Sequence, residues 1–177
     1  MISMTVIENI YFSANSLGRL PVLIYSTIIA LYLLLHPARS VQSRTAGVYF
    51  LFASAFHFGF FWAHSVCHPV GALGYYLTAL SPLGIAVLLQ FAYLFPKDSM
   101  QKERKAALTV SSLISISAAI DYFYSASVSP VKIFSSGYGS TYISRAVPFV
   151  NAFLYFWIII VFIRKTLYHS RTFHAEP

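Results

Sequence analysis

The sequence predicts an all-α membrane protein, a polytopic bundle of about five transmembrane helices with its N-terminus outside and its C-terminus in the cytoplasm. Three observations lead to this fold class. The chain is 58% hydrophobic and only 10% charged, whereas a soluble domain carries about 25% charged residues. Five apolar runs are long enough to cross a bilayer. The basic residues between those runs collect mainly on one side.

The five apolar runs define a single transmembrane domain that covers residues 1–177. A hydrocarbon core about 30 Å thick requires roughly 20 apolar residues in a helix. The runs of this length are residues 20–36, 45–67, 70–95, 106–125 and 146–167, and the longest connection is an outer loop at 126–145.

Prolines mark where the first three runs end. Pro37, Pro69 and Pro96 follow them, and proline stops a helix because it lacks a backbone N–H donor. Pro82 lies inside the third run, where it predicts a kink near residues 79–81.

Lysine and arginine residues predict the orientation. Nine follow the first, third and fifth runs, and three lie on the other side. Since cytoplasmic loops carry the excess, the N-terminus is predicted to be outside. The chain opens with MISMTVIENIYF, which carries the acid Glu8 and no lysine or arginine before Arg19. A signal peptide has a positively charged N-terminal region, so the first run is expected to be retained. The nine are Arg39, Arg44, Lys97, Lys102, Arg104, Lys105, Arg164, Lys165 and Arg171, and the three are Arg19, Lys132 and Arg145.

Histidines on the second run form the candidate site. His57, His64 and His68 fall within about 40° of one another on a helical wheel, and ionisable residues in a membrane usually face the bundle interior. Asp121, near the outer end of the fourth run, permits an outer cluster with His64 and His68. Three interpretations stay open: hydrogen bonds that fix packing, a ligand-binding or proton-sensing site, and a metal or haem site.

The sequence leaves the cofactor of such a site unknown. His64 and His68, four residues apart, suit one metal with Asp121 as a third ligand. Two stacked bis-histidine haems are not expected, because the third, fourth and fifth runs hold no deep histidine, but one haem with a weak second ligand stays open. A single cysteine, Cys67, excludes an intrachain disulfide.

Small residues recur at every fourth position on another face of the second run. Such a stripe allows the backbone of a neighbouring helix to approach closely. Ordinary packing within the chain and a face for a homodimer are both open interpretations. The stripe consists of Ala55, Gly59, Ala63 and Cys67.

The second and third runs resemble a known family. They include HPARSVQSRTAGVYFLFASAFHFGFFWA, and the third run closes with LLQFAYLFPKD. This pattern resembles the N-terminal seven-helix sensor regions of bacterial signalling proteins, including histidine kinases, adenylate cyclases and protein phosphatases. The best point of likeness is FAYLFP before a charged loop, and RKTLYHSR after the fifth run also fits. The resemblance implies a sensor fold with a cytoplasmic effector, although the last two helices and the effector have no counterpart here.

The leading hypothesis is a membrane sensor or receptor module. Its outward-facing pocket, lined by the second, third and fourth helices, would relay a ligand or proton signal to the cytoplasmic side. The alternatives are a small structural or accessory subunit of a larger membrane complex, and a redox subunit associated with haem or quinone. We expect no enzyme, because the sequence has no nucleophile–histidine–acid arrangement, phosphate-binding loop or HExxH motif.

Expected partners are the lipid bilayer, other membrane subunits or a cytoplasmic effector, and a second copy of the chain. The net charge of +7 lies largely in short loops between apolar runs. It therefore indicates membrane topology, and no nucleic-acid partner is expected. The resemblance to bacterial sensor regions implies a cell membrane, specifically a bacterial inner membrane.

Overall fold

The structure is a computed structural model that describes residues 10, 12, 14–37, 40–66, 71, 73–97, 100–128 and 146–173. Within these ranges the chain is all-helical apart from one isolated bridge between Ile10 and Val66. This confirms the predicted all-α class. The helices are α1 (Ala14–Leu35), α2 (Val41–Ser65), α3 (Leu73–Thr78), α4 (Ser81–Leu94), α5 (Gln101–Val128) and α6 (Ala146–Phe173).

Five helical stretches in the described part of the chain are long and apolar enough to cross a membrane, and each overlaps one predicted run. This supports a multi-pass membrane protein. The stretches are Ser16–Leu35, Val41–Ser65, Leu73–Leu94, Gln101–Ser125 and Ala146–Leu167. Most of the predicted outer loop lies outside the described residues, and its first three residues continue α5.

The helices extend beyond the apolar runs that predicted them. α1 begins at Ala14 and not at residue 20, and α5 begins at Gln101 and not at residue 106. Hydropathy marks only the part of a helix inside the hydrocarbon, whereas the main-chain hydrogen bonds continue the helix into the interface. α2 likewise begins at Val41, because the Ser40 side chain caps it by accepting a 3.1 Å hydrogen bond from the Ser43 amide.

The third span is divided into two helices. α3 ends at Thr78, and α4 begins at Ser81 with Pro82 in its first turn. Proline is tolerated there because the first N–H groups of a helix have no intrahelical partner. The kink predicted at residues 79–81 is therefore a two-residue turn, formed by Ala79 and Leu80.

The third span is also the centre of the bundle. Within the most apolar 18 residues of each span, 61% are buried in Leu73–Leu94 but only 11% in Ser16–Leu35, so α1 is peripheral. The closely packed helix pairs are α1–α2, α2–α3, α2–α4, α4–α5, α4–α6 and α5–α6. α4 thus lies between α2 and α6, which leaves a groove between those two helices.

The main core forms where α4, α5 and α6 meet. Large apolar side chains elsewhere point away from the bundle; Leu113 is 61% exposed and Phe149 is 81% exposed. A membrane-spanning helix presents such a surface to lipid. The core cluster consists of Ile85, Ala86, Leu89, Ala92, Tyr93, Ala107, Leu154, Ile158 and Val161.

One end of the bundle is rich in basic residues, and we call it the basic end. It is where α4 ends, α5 begins and the membrane span of α6 ends, and it carries Lys97, Lys102, Arg104, Lys105, Arg164 and Lys165. The Gln42 side chain at the start of α2 donates a 3.5 Å hydrogen bond to the Leu94 carbonyl, which places the α1–α2 connection at the same end.

Candidate functional site

A cavity of about 290 Å³ occupies the groove between α2 and α6, and α4 forms its floor. The floor lies close to α2 at Gly84. A β-carbon added at this glycine would come within 2.8 Å of the Phe52 β-carbon. The cavity is lined by Tyr49, Phe52, Ala53, Phe56, His57, Ser81, Gly84, Ile85, Asn151 and Tyr155. We refer to it as the intramembrane groove.

Polar groups from all three helices reach the intramembrane groove. The Asn151 amide nitrogen of α6 donates a 3.0 Å hydrogen bond to the Ser81 hydroxyl of α4. Two other atoms, His57 Nδ1 and Asn151 Oδ1, are buried and have no hydrogen-bond partner among the described residues. An unsatisfied buried polar atom costs about 1–3 kcal/mol. Both atoms are buried as the side chains stand, so a bound group can hydrogen-bond to them once a small side-chain rotation turns them towards the cavity.

The groove lies within the stretch of α2 that is long and apolar enough to cross a membrane. His57 is eight residues from the end of α2 at Ser65, or about 12 Å along the helix axis. None of the residues that line the groove is aspartate, glutamate, lysine or arginine. The site is therefore uncharged apart from any protonation of His57. Of the three predicted ligand residues that the structure describes, His57 lines this groove, and His64 and Asp121 do not.

His64 lies in a different environment from His57. It is 6% exposed, and its Nδ1 is 2.8 Å from the Phe60 carbonyl oxygen. Since a carbonyl only accepts, Nδ1 carries the hydrogen and donates it. The imidazole is stacked on the Phe60 ring at 5.7 Å and meets the edge of the Tyr75 ring at 6.2 Å. These contacts hold the ring in place between α2 and α3.

Asp121 is exposed on α5, a helix that packs closely against α4 and α6 and not against α2. No group of three or more histidine, cysteine, aspartate or glutamate residues that could hold a metal occurs in the described part of the chain. His68, the third member of the predicted cluster, lies outside the described residues. The proposed cluster of His64, His68 and Asp121 is therefore not assembled by the residues that the structure describes.

The stripe of small residues on α2 lies against α3. A β-carbon added at Gly59 would meet the Gly74 carbonyl oxygen and come within 2.9 Å of the Leu77 β-carbon. A β-carbon added at Gly74 would come within 2.9 Å of the Ala63 amide nitrogen. Two members of the stripe thus permit backbone contact within the chain. Ala55 is half-buried, and Cys67 lies outside the described residues.

A network of side chains joins α4, α5 and α6 at the basic end. The Tyr93 hydroxyl donates to a Glu103 carboxylate oxygen at 2.7 Å and accepts from the Trp157 indole nitrogen at 3.2 Å. Arg164 donates to both oxygens of the same carboxylate, at 2.6 and 3.0 Å. Glu103 is therefore fixed by side chains from α4 and α6. The paired hydrogen bonds from Arg164 to its two carboxylate oxygens also make that contact directional.

Lys165 caps the end of α4. Its ammonium group donates to the carbonyls of Tyr93, Phe95 and Lys97, the last two at 2.9 and 3.0 Å. The last carbonyls of a helix have no intrahelical partner, and a cation at the C-terminus also interacts favourably with the helix dipole. Lys165 is only 3% exposed, so these carbonyls solvate its charge where water cannot.

Lys165 was predicted only as one of the charges that set the topology. A stronger signal was present in the spacing, because Leu154, Ile158, Val161 and Lys165 follow one another by four, three and four residues. This is the period of one helix face, and the first three are buried in the core. The lysine continues that buried face, which indicates an internal partner and not only contact with water.

Neither a protein-family model nor a curated protein nor a solved structure matches the chain. The resemblance to bacterial sensor regions therefore rests on the sequence pattern alone. The geometry adds two features on the same pair of helices. α4 and α6 line the intramembrane groove with Ser81 and Asn151, and they meet again at the basic end through Tyr93 and Lys165.

Proposed function

We propose that the chain is a membrane-embedded sensor or receptor module, that its ligand binds in the intramembrane groove, and that α4 and α6 relay binding to the basic end. One observation carries this proposal. The same two helices are joined by Asn151 and Ser81 at the groove, and by Lys165 and the carbonyl of Tyr93 at the basic end.

The groove has the chemical character of a ligand site. Binding pockets are mostly apolar, with a few polar groups that orient the ligand, and they commonly occur between the helices of a bundle. Here aromatic and aliphatic side chains surround His57, Ser81 and Asn151. The cavity of about 290 Å³ is near the lower limit of such pockets, about 300 Å³. The ligand, or the part of it that enters the groove, is therefore small.

The relay follows from the stiffness of α6. Asn151 and Lys165 are fourteen residues apart on one helix, or about 21 Å. A ligand that changes the Asn151–Ser81 contact shifts α6 relative to α4, and the buried Lys165 must follow or lose its carbonyl partners. Helix shifts of this kind are a common form of switching, and they require only that the ligand bind one arrangement more tightly.

The proposed topology places the basic end in the cytoplasm. The excess of lysine and arginine at that end supports this orientation, with the N-terminus outside and the chain in a bacterial inner membrane. The groove then lies nearer the outer side, and the arginine–glutamate–tyrosine network faces the cytoplasm, where a separate effector would bind. In this arrangement the outward pocket is lined by α2, α4 and α6, with His57 as its histidine.

A tethered group that fills the groove tests the relay in place of the natural ligand. The background replaces Cys67 with serine and Trp62 with phenylalanine, which leaves Trp157 as the only tryptophan of the two in the chain. Ala53→Cys places a thiol in the groove, and N-cyclohexylmaleimide then fills the groove. Leu51→Cys, on the same helix but 51% exposed, receives the same reagent as a control.

Trp157 is the reporter because its indole nitrogen donates to Tyr93 in the basic-end network. Modification at position 53 is expected to shift the emission maximum of Trp157, whereas modification at position 51 leaves it unchanged. Equal spectra for the two modified proteins, with mass spectrometry confirming complete reaction, would show that filling the groove does not reach the basic end.

A further inference from the structure

The walls of the intramembrane groove restrict the chemistry of its ligand, if the proposed ligand site is correct. The apolar part of the lining comes from Phe52, Ala53, Phe56, Gly84 and Ile85. Apolar surface favours burial of a hydrocarbon portion at about 25 cal/mol per Å². The body of the ligand is therefore apolar, and it reaches the site from the bilayer.

The groove also opens sideways between two helices. α2 and α6 are not a closely packed pair, although each packs against α4. A cavity of about 290 Å³ holds a head group and the first part of a chain. The remainder of a longer chain would then extend between α2 and α6 into the lipid.

A charged head group does not fit this lining. The residues around the cavity include no acidic or basic side chain other than His57, and burying an uncompensated charge is strongly unfavourable. Arg19 is the basic residue on α1, and its guanidinium lies over the Phe60 ring, 4.9 Å from the ring centre. Neither Arg19 nor Phe60 lines the groove. The charge of Arg19 acts on His57 from outside the lining, but no acidic, lysine or arginine side chain lines the groove itself, so an uncharged ligand fits it best.

The polar atoms of the lining specify what the head group must do. Asn151 already donates through its amide nitrogen to Ser81, so its free carbonyl oxygen needs a donor. His57 Nδ1, the other unpartnered atom, donates or accepts according to its tautomer. The terminal torsions of asparagine and histidine are broad, so a small rotation turns either atom towards a bound group. A hydroxyl both donates and accepts, whereas an ether or ester oxygen only accepts.

We infer that the intramembrane groove binds an uncharged amphiphile whose polar head is a hydroxyl group, held between His57 of α2 and Asn151 of α6, with its hydrocarbon chain directed into the bilayer. The hydroxyl donates to the Asn151 carbonyl oxygen and exchanges a second hydrogen bond with the His57 ring. Because the two residues belong to helices on opposite sides of the groove, such a ligand would bridge α2 and α6.

Photolabelling with competition tests this inference on the full chain in lipid nanodiscs. The probe is hexadecanol carrying a diazirine on its chain, and mass spectrometry locates the labelled residues. Three competitors have the same chain length: 1-hexadecanol, hexadecyl methyl ether and hexadecanoic acid. Label on α2 and α6 next to the groove is expected, with hexadecanol competing at least about fivefold better than the ether because the donated hydrogen bond is lost.

Two variants assign the hydrogen bonds to their residues. Asn151→Leu is expected to weaken the competition by hexadecanol about fivefold while leaving that of the ether unchanged, because only the alcohol donates to Asn151. His57→Phe is also expected to weaken the competition by hexadecanol about fivefold. His36→Phe makes the same chemical change at an exposed position at the end of α1, so it serves as the control and should behave as the unmodified protein. The comparison of competitors on the unmodified protein does not depend on any variant folding.

The outcomes separate this inference from the proposed function. Equal competition by alcohol and ether, or stronger competition by the acid, would overturn the hydroxyl specificity while leaving the groove as a ligand site. Label spread over the lipid-facing helices, without enrichment beside the groove and without competition, would overturn both. Both are supported by enrichment at the groove, a preference for the alcohol that Asn151→Leu removes, and weaker binding of the alcohol in His57→Phe.

Discussion

Lys165 offers the sharpest test of the packing between α4 and α6. Replacing it with methionine keeps a long unbranched side chain but removes the ammonium group that caps α4. The three carbonyls that accept from it belong to Tyr93, Phe95 and Lys97. Tyr93 is completely buried, whereas the other two residues are exposed. The three losses therefore differ in cost.

The expected cost follows from that difference. The carbonyl of Tyr93 cannot readily recover a partner from water, and an unsatisfied buried acceptor costs about 1–3 kcal/mol. The carbonyls of Phe95 and Lys97 can be rehydrated, so each loss costs about 0.5 kcal/mol. Removing a buried charge recovers part of its desolvation penalty. We expect Lys165→Met to lower the free energy of unfolding by about 2–3 kcal/mol in total.

The assay is reversible unfolding in detergent micelles, driven by an increasing fraction of sodium dodecyl sulfate and followed by far-ultraviolet circular dichroism. Lys105→Met is the matched control, because Lys105 is an exposed lysine on α5 at the same end of the bundle. Exposed substitutions usually change stability by no more than about 0.5 kcal/mol. If Lys165→Met were no less stable than Lys105→Met, the capping role of Lys165 would be wrong.

Three further substitutions, one of them a control, are compared in the same unfolding assay. Gly59→Ala is expected to destabilise by about 1–3 kcal/mol because its β-carbon meets the Gly74 carbonyl oxygen; Gly18→Ala, with no atom within 4 Å of its β-carbon, should stabilise by about 0.5–1 kcal/mol. Destabilisation of both to the same extent would contradict the close approach. Glu103→Gln should cost only about 0.2–1 kcal/mol, because Arg164 and Glu103 are 49% and 36% exposed. Its cost should fall in high salt, and a cost independent of salt would count against an ion pair.

The positions of the membrane spans could be predicted from the sequence because hydropathy records them directly. Apolar runs of bilayer length and the prolines near their ends placed all five spans, and Pro82 located the break at Ala79–Leu80. The helix ends were less predictable. Residues 101–105 are all polar or charged, and they are nevertheless helical because the chain continues its hydrogen bonds beyond the apolar core.

The candidate site could be predicted only in part. The sequence identifies His57 as a histidine deep in the second run. On a helical wheel it lies on the same face as His64, but in the structure the two side chains contact different helices. His57 lies beside α4 and α6, whereas His64 lies beside Tyr75 of α3. The break after α3 makes successive turns of α2 face different helices. Which helices become neighbours depends on packing between distant segments, and one sequence does not record it.

Asn151 illustrates the same limit. An isolated amide on a long apolar helix indicates a hydrogen bond to another helix, but the sequence does not identify the partner residue. The structure identifies that partner as Ser81, seventy residues away, and places both beside the groove. The free carbonyl oxygen of Asn151, on which the ligand inference depends, becomes recognisable only when that pairing is known.

The central claim is that the groove and the basic end are coupled, so a change in packing at the basic end is expected to alter access to the groove. The most direct test is therefore the reverse of the tethering experiment. It measures the rate at which N-ethylmaleimide modifies a thiol introduced by Ala53→Cys, with Cys67→Ser in the background, in nanodiscs. We expect Lys165→Met to change that rate several-fold, and Lys105→Met to leave it unchanged. Reaction of a thiol introduced by Leu51→Cys, which faces away from the bundle, should be the same in both backgrounds. If the rate at position 53 were equal in the two lysine variants, the groove and the basic end would be independent, and the relay would be contradicted.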